Sequence, residues 1–126
     1  MAVRTYAQIL GVVLLLIGVV GLVLGERLFL GILNIYIVED IVHLLTGGLL
    51  AYVGFGRVEE GAARTLVGVL GVVYLVVGIL GFIVPTMFGL LPDGYTVFDN
   101  LLHLALGVLS IAVAWFLQSG PRTERA

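Results

Sequence analysis

Four transmembrane α-helices, built as two copies of one two-helix unit, are the architecture this sequence predicts, and three observations predict it. The composition is too apolar for water: 61% of the 126 residues are hydrophobic and 11% are charged, with a mean hydropathy of +1.24. Soluble domains run at about 45–50% apolar and about 25% charged. Four apolar runs approach or reach the length of the hydrocarbon core, and a shift of 60 residues lays the chain upon itself. A soluble fold of this size could not hide so much apolar surface, whereas a bilayer is itself an apolar solvent.

The runs come first. Crossing the hydrocarbon takes about 20 mostly apolar residues in a helix. Residues 6–24 and 66–84 are uncharged stretches of that kind, 97–117 is a third, and 41–55 reaches span length when its helix starts near Tyr36. The first run exceeds the apolar region of a secretory signal, and Gly25-Glu26-Arg27 is not a small-x-small cleavage site. It reads as a retained helix. The length suits one domain over 1–126.

Arginine placement predicts the orientation. Arg4 precedes the first span, Arg57 and Arg64 lie between the second and third, and Arg122 and Arg125 follow the fourth. With four spans these share one side, and Arg27 alone faces the other. The positive-inside rule then makes both termini cytoplasmic, with loops 25–36 and 85–96 outside. The short turn 56–61 makes spans two and three antiparallel neighbours.

The internal repeat pairs 4–56 with 64–116. Arg4-Thr5 falls on Arg64-Thr65, and Leu10-Gly11-Val12-Val13 on Leu70-Gly71-Val72-Val73. Gly18 and Gly21 meet Gly78 and Gly81, His43-Leu44 meets His103-Leu104, and Gly47 meets Gly107. Apolar composition yields Leu and Val coincidences, but it does not align the only two histidines. Each unit has an even number of spans, so both copies point the same way and their pseudo-twofold axis runs along the membrane normal. Gly11, Gly18 and Gly25, with Gly21, form a seam in span one, and Gly71, Gly78 and Gly81 repeat it in span three. Small residues let helix backbones approach where lipid supplies no hydrophobic drive. The seams fit internal packing or contact with a second copy.

One polar constellation carries chemical potential. Glu39-Asp40-Ile41-Val42-His43 and Asp99-Asn100-Leu101-Leu102-His103 open spans two and four, and spacings of three and four put acid or amide and imidazole on one helix face. Gly47 and Gly107 continue that face and leave room beside each ring. A structural role suits these residues: Thr96-x-x-Asp99 fits a capping box, Glu39 and Asp40 could cap span two, and the histidines would pin the outer loops by donating to a carboxylate or loop carbonyl. A metal site is the alternative, with His43, His103, Glu39, Asp40 and Asp99 as ligands. Asp40-x-x-His43 matches the di-iron spacing loosely, Asn100-x-x-His103 does not, and spans one and three carry no acid to complete it. A haem held between His43 and His103 is a further alternative, with Arg27 alone on that side to meet propionates, and pH sensing by the pair is another.

Other chemistries find no support. There are no cysteines, which excludes disulfides and thiolate sites. A net charge of −2 gives no field for nucleic acid. Ser110 and Ser119 lack a His or Asp at helical spacing, so no catalytic residues are assigned. No charged lane marks a pump or channel, Tyr74 is expected to bond to backbone at mid-membrane, and Trp115 reads as an interfacial anchor. Pro85 and Pro92 limit helix in the second outer loop, and the apolar strings around Phe29 and Phe88 suit the membrane interface.

These elements together resemble an uncharacterised prokaryotic four-span membrane family, domain of unknown function 4383. The residues carrying the resemblance are Gly18-x-x-Gly21, Gly78-x-x-Gly81, Phe88-Gly89-Leu90-Leu91-Pro92, and Asp99-Asn100-Leu101-Leu102-His103 with Gly107. The first copy offers Phe29-Leu30-Gly31-Ile32-Leu33-Asn34, then Glu39 to His43 and Gly47. The resemblance implies a multi-pass protein of the prokaryotic cytoplasmic membrane and supplies no activity, substrate or cofactor. The expectation is a non-enzymatic structural or accessory component, its partners the lipid bilayer and a larger membrane complex or homo-oligomer. Metal or haem binding is the rival, and a small transporter or channel the third.

Overall fold

Helical hydrogen bonding satisfies every backbone group within its own segment, so apolar runs of this length fold as helices when water is absent. The computed structural model describes residues 3–117. Arg122, Arg125 and Ser119 fall outside them. Helix α1 spans Val3–Leu24, α2 Ile37–Phe55, α3 Glu60–Ile83, and α4 Val97–Ile111, which runs on through a π-helical turn over Ala112–Phe116. All four are long and apolar enough to cross a membrane. The chain buries only 28% to 39% of each apolar window, so most of each helix surface needs another apolar solvent. Val23, 80% exposed, and Leu16, 60% exposed, face outward with no protein cover.

The helices pair in sequence order, α1 with α2 and α3 with α4, and glycine brings each pair together. A Cβ on Gly11 would stand 2.6 Å from the Ala51 amide nitrogen, and one on Gly47 2.8 Å from that of Leu15. In the second hairpin a Cβ on Gly71 would stand 2.9 Å from the Ile111 nitrogen, and one on Gly107 2.5 Å from that of Leu75. These obstacles are backbone and cannot swing aside. Gly18 packs on Leu44 and Gly78 on Leu104, while Gly21 meets the Asp40 side chain and Gly81 that of Asn100. Gly54 against Gln8 and Gly68 against the Trp115 ring extend the seams beyond the expected positions.

Gly25 corrects one expectation. A Cβ built on it would meet no other element within 4 Å, its φ is +74°, and its N–H donates to the Gly21 carbonyl at 3.0 Å. It ends α1 in the left-handed conformation that glycine adopts without a Cβ penalty.

The two loops on the Gly25 side differ in kind. Loop 25–36 folds as a β-hairpin, β1 (Arg27–Phe29) against β2 (Leu33–Ile35), with Leu28 opposite Asn34. Its turn has φ of 52° at Leu30 and 73° at Gly31, the positive pair of a type I′ turn. Loop 85–96 is a compact coil around a 3-10 turn over Met87–Gly89, closed by Tyr95 N–H to the Pro85 carbonyl at 2.9 Å and roofed inward by buried Leu91.

The opposite end is tied by Arg4. Its guanidinium donates to the carbonyls of Val53, Gly56 and Val58 at 3.0, 2.8 and 2.5 Å, covering the C-terminal end of α2 where bare carbonyls and the helix dipole favour a cation. Arg64, its counterpart at the same shift, instead pairs with Glu60 at 2.9 Å on the exposed face.

Candidate functional site

The end of the bundle nearest Gly25 is assembled from both loops. Thr96 caps α4 with the expected box: its hydroxyl accepts from Asp99 N–H at 3.0 Å, and the Asp99 carboxylate accepts from Thr96 N–H at 2.9 Å. The same carboxylate accepts the Asn34 N–H at 3.1 Å, and the Asn34 amide donates to the Gly94 carbonyl at 2.7 Å. Thr96 donates its own proton to the Ile32 carbonyl at 2.5 Å. Asn34, Thr96 and Asp99 therefore pin the hairpin to the second half of the chain. The expected pins, His43 and His103, do not do it.

Below that network, α2 and α4 bring Glu39 and His103 face to face. Glu39 is 6% exposed and His103 8%, with 4.0 Å from the carboxyl Oε1 to Nε2, longer than a hydrogen bond. Tyr95 packs edge-on against the His103 ring with centroids 5.0 Å apart, and Tyr74 lies at 5.8 Å. The Tyr95 hydroxyl lies beside the Glu39 carboxyl. Burial first, then the negative carboxyl, pushes its phenol well above the ordinary tyrosine range, so it stays a proton donor. Deeper in, Thr46 donates to the Val42 carbonyl at 2.8 Å, which leaves its oxygen to accept the Tyr74 hydroxyl at 2.7 Å. Tyr74 thus bonds to a side chain of the other hairpin rather than to backbone. Tyr6 and Ser110 make a second cross-hairpin bond at 2.6 Å, which occupies the serine hydroxyl with a phenol and offers it no base.

Three buried atoms at this centre have no partner: Glu39 Oε2 and the Nδ1 of both histidines. Two cavities meet there. One of about 170 Å³ lies between α2 and α3 under Met87, Leu90 and Leu91. A larger one of about 480 Å³ lies between α1 and α4 under Phe29, Leu33 and Ile35. Glu39, His43 and His103 line both.

This geometry revises the ligand expectations. Neither Glu39 nor Asp40 caps α2, which starts at Ile37 after Tyr36 with no side-chain cap. Glu39 turns into the bundle and Asp40 against Gly21. The five-residue metal site is not assembled: Asp99 spends its oxygens on two backbone N–H groups and Asp40 is in the α1–α2 seam. Among the described residues no three His, Asp or Glu side chains are placed to hold a metal ion, and protein zinc sites take three or four ligands at about 2.0–2.3 Å. A haem between the histidines meets a steric obstacle, because Tyr74 and Tyr95 flank the His103 ring and its Nε2 faces Glu39. What the arrangement can do is accept hydrogen bonds from, or donate them to, a group entering the apolar clefts.

Asn34, Thr46 and Tyr95 were not singled out as site residues in the sequence, and Tyr74 was expected only to bond backbone; Asn34 is the one amide in the apolar loop 25–36.

Four membrane-capable helices around a buried polar centre define a multi-pass membrane protein. The chain belongs to the family described as domain of unknown function DUF4383, whose sequence model matches residues 4–116. No curated protein and no solved structure matches it.

Proposed function

We propose that this protein is a non-catalytic structural or accessory component of a membrane assembly. The observation that carries the reading is the direction of its polar groups. Tyr6 bonds Ser110 and Thr46 bonds Tyr74 from one hairpin to the other, while the large exposed side chains of all four helices are mostly Leu, Ile, Val and Phe. Such a surface contacts lipid or the apolar face of another membrane protein, and the short loops offer little else.

We further infer a tandem duplication of 4–56 as 64–116 about a pseudo-twofold along the membrane normal. The support is that the Gly11–Gly47, Gly18–Leu44 and Gly21–Asp40 approaches recur as Gly71–Gly107, Gly78–Leu104 and Gly81–Asn100. The arginine distribution supports a prokaryotic cytoplasmic membrane location with both termini inside. The test is extraction from native membranes in mild detergent. The reading expects a reproducible partner or a homo-oligomer to come with the protein, and a clean monomer overturns it.

A further inference from the structure

The cleft between α1 and α4 has the shape of a ligand site, and no group among the described residues fills it. At about 480 Å³ it falls within the range of about 300–1,000 Å³ typical of small-molecule sites. Its walls are Val13, Ile17, Val20, Leu102 and Leu106, and its outer end is closed by the hairpin. Val13, Ile17 and Val20 are also half exposed on the lipid-facing side of α1, so a molecule dissolved in the bilayer reaches the cleft laterally. Along α1 the lining runs from Leu24 to Leu10, about 21 Å at about 1.5 Å per residue. The polar end is the outer one. That is the polarity of a lipid lying in one leaflet.

Beyond the Tyr95 hydroxyl beside Glu39, the polar end lacks partners. Glu39 Oε2 and the Nδ1 atoms of His43 and His103 are buried and unpaired, and the Glu39 and His103 side chains are at least nine-tenths buried. Leaving such groups unsatisfied is costly, and costlier where no water reaches. No Arg or Lys lines the cleft, while Glu39 and Asp99 do, so an anionic head group meets carboxyls and nothing to neutralise it. An ammonium head donates only, and opposes whichever imidazole nitrogen carries a proton. A hydroxyl both donates and accepts, and so fits the carboxyl and either tautomer.

The geometry points to this cleft as the seat of a single-chain amphiphile with a hydroxyl head, an alcohol or hydroquinone, held by Glu39, His43 and His103. The head lies between α2 and α4 beneath the Asn34–Asp99 tie, and the chain lies along α1. The site needs no protein partner, so it stands or falls separately from the accessory role.

The experiment is native mass spectrometry of the purified full-length protein, titrated with dodecanol, decylhydroquinone, dodecylamine, dodecanoate and dodecane. The expected result is a one-to-one adduct with dodecanol and decylhydroquinone, at least about tenfold tighter than with dodecanoate or dodecane, the factor set by about 1.4 kcal/mol of head-group bonding. Ile17→Trp, which fills the cleft away from the polar end, removes the adduct, and Glu39→Leu weakens it by about tenfold. Equal binding of dodecane overturns the head-group assignment, tighter binding of dodecylamine or dodecanoate overturns the hydroxyl chemistry, and an adduct untouched by Ile17→Trp overturns the location. The head-group series needs only the wild-type protein, so a variant that misfolds does not blunt the test. Absence of every adduct from protein that still copurifies a partner overturns this site and leaves the accessory role intact.

Discussion

Within each hairpin, backbone meets backbone. Between the hairpins, side chains meet across cavities. The Gly11–Ala51 and Gly107–Leu75 approaches are so close that a methyl group would collide with an amide nitrogen. Across the hairpin interface the ties are single side-chain bonds, Tyr6 to Ser110 and Thr46 to Tyr74, with the Asn34–Asp99 loop network at one end. The difference follows from how packing works in lipid. Hairpins close by van der Waals contact that only glycine permits, and polar groups hold what shape does not. The place where shape complementarity gives out is where the buried Glu39–His103 pair sits, and both clefts open onto it.

The largest expected effect comes from filling a seam. Gly47→Leu and Gly107→Leu should each prevent recovery of folded protein, and the Ala variants at the same positions should cost about 1–3 kcal/mol by overpacking, read as a lowered unfolding midpoint in detergent. A seam that accepts Ala without loss would break the contrast between hairpin and interface.

Next is the tie between loops 25–36 and 85–96. Asn34→Leu removes the amide bond to Gly94 and leaves a carbonyl without that donor, at about 1–2 kcal/mol. The loss should show as faster hydrogen exchange in 27–35 and 94–99. Tyr74→Phe is smaller, about 0.6 kcal/mol, because the Thr46 hydroxyl keeps its bond to Val42. Replacing Glu60 by Gln should cost no more than about 0.5 kcal/mol, since its pair with Arg64 is exposed.

A pH measurement sharpens the account of the centre. The Tyr95 phenol is raised, so it remains protonated where an ordinary tyrosine, at about pH 10, has ionised. Tyr95→Phe should therefore leave the phenolate absorbance at about pH 11 unchanged. A matching loss of absorbance would mean that water and ions reach the carboxyl beside it.

The four spans were legible because composition and run length answer one question, which solvent the helix faces. The seams were legible because glycine at fixed spacing has few uses inside an apolar helix. Gly25 escaped that logic, since spacing does not distinguish the last packed turn from the residue that ends the helix. The Thr96–Asp99 box could be read locally. Its counterpart could not: Glu39 and Asp40 have the composition of a cap, and only the neighbouring helices turn one toward His103 and the other toward Gly21. Helical spacing placed Asp99 beside His103 on one face, yet Asp99 is taken by a loop 65 residues away in sequence. Tyr95 sits in an irregular segment and Asn34 in a strand of three residues, too short to show periodicity, so nothing local marks them as neighbours of the buried carboxyls.

The central claim is that two closed hairpins meet at an open interface. Pulsed dipolar spectroscopy on spin-labelled pairs tests it most directly, with one pair within a hairpin at the exposed positions Leu16 and Leu45 and one across the interface at Leu16 and Leu109. The account predicts a narrow distance distribution for the first pair and a distinctly broader one for the second. Equal widths, or the broader distribution within the hairpin, would contradict it.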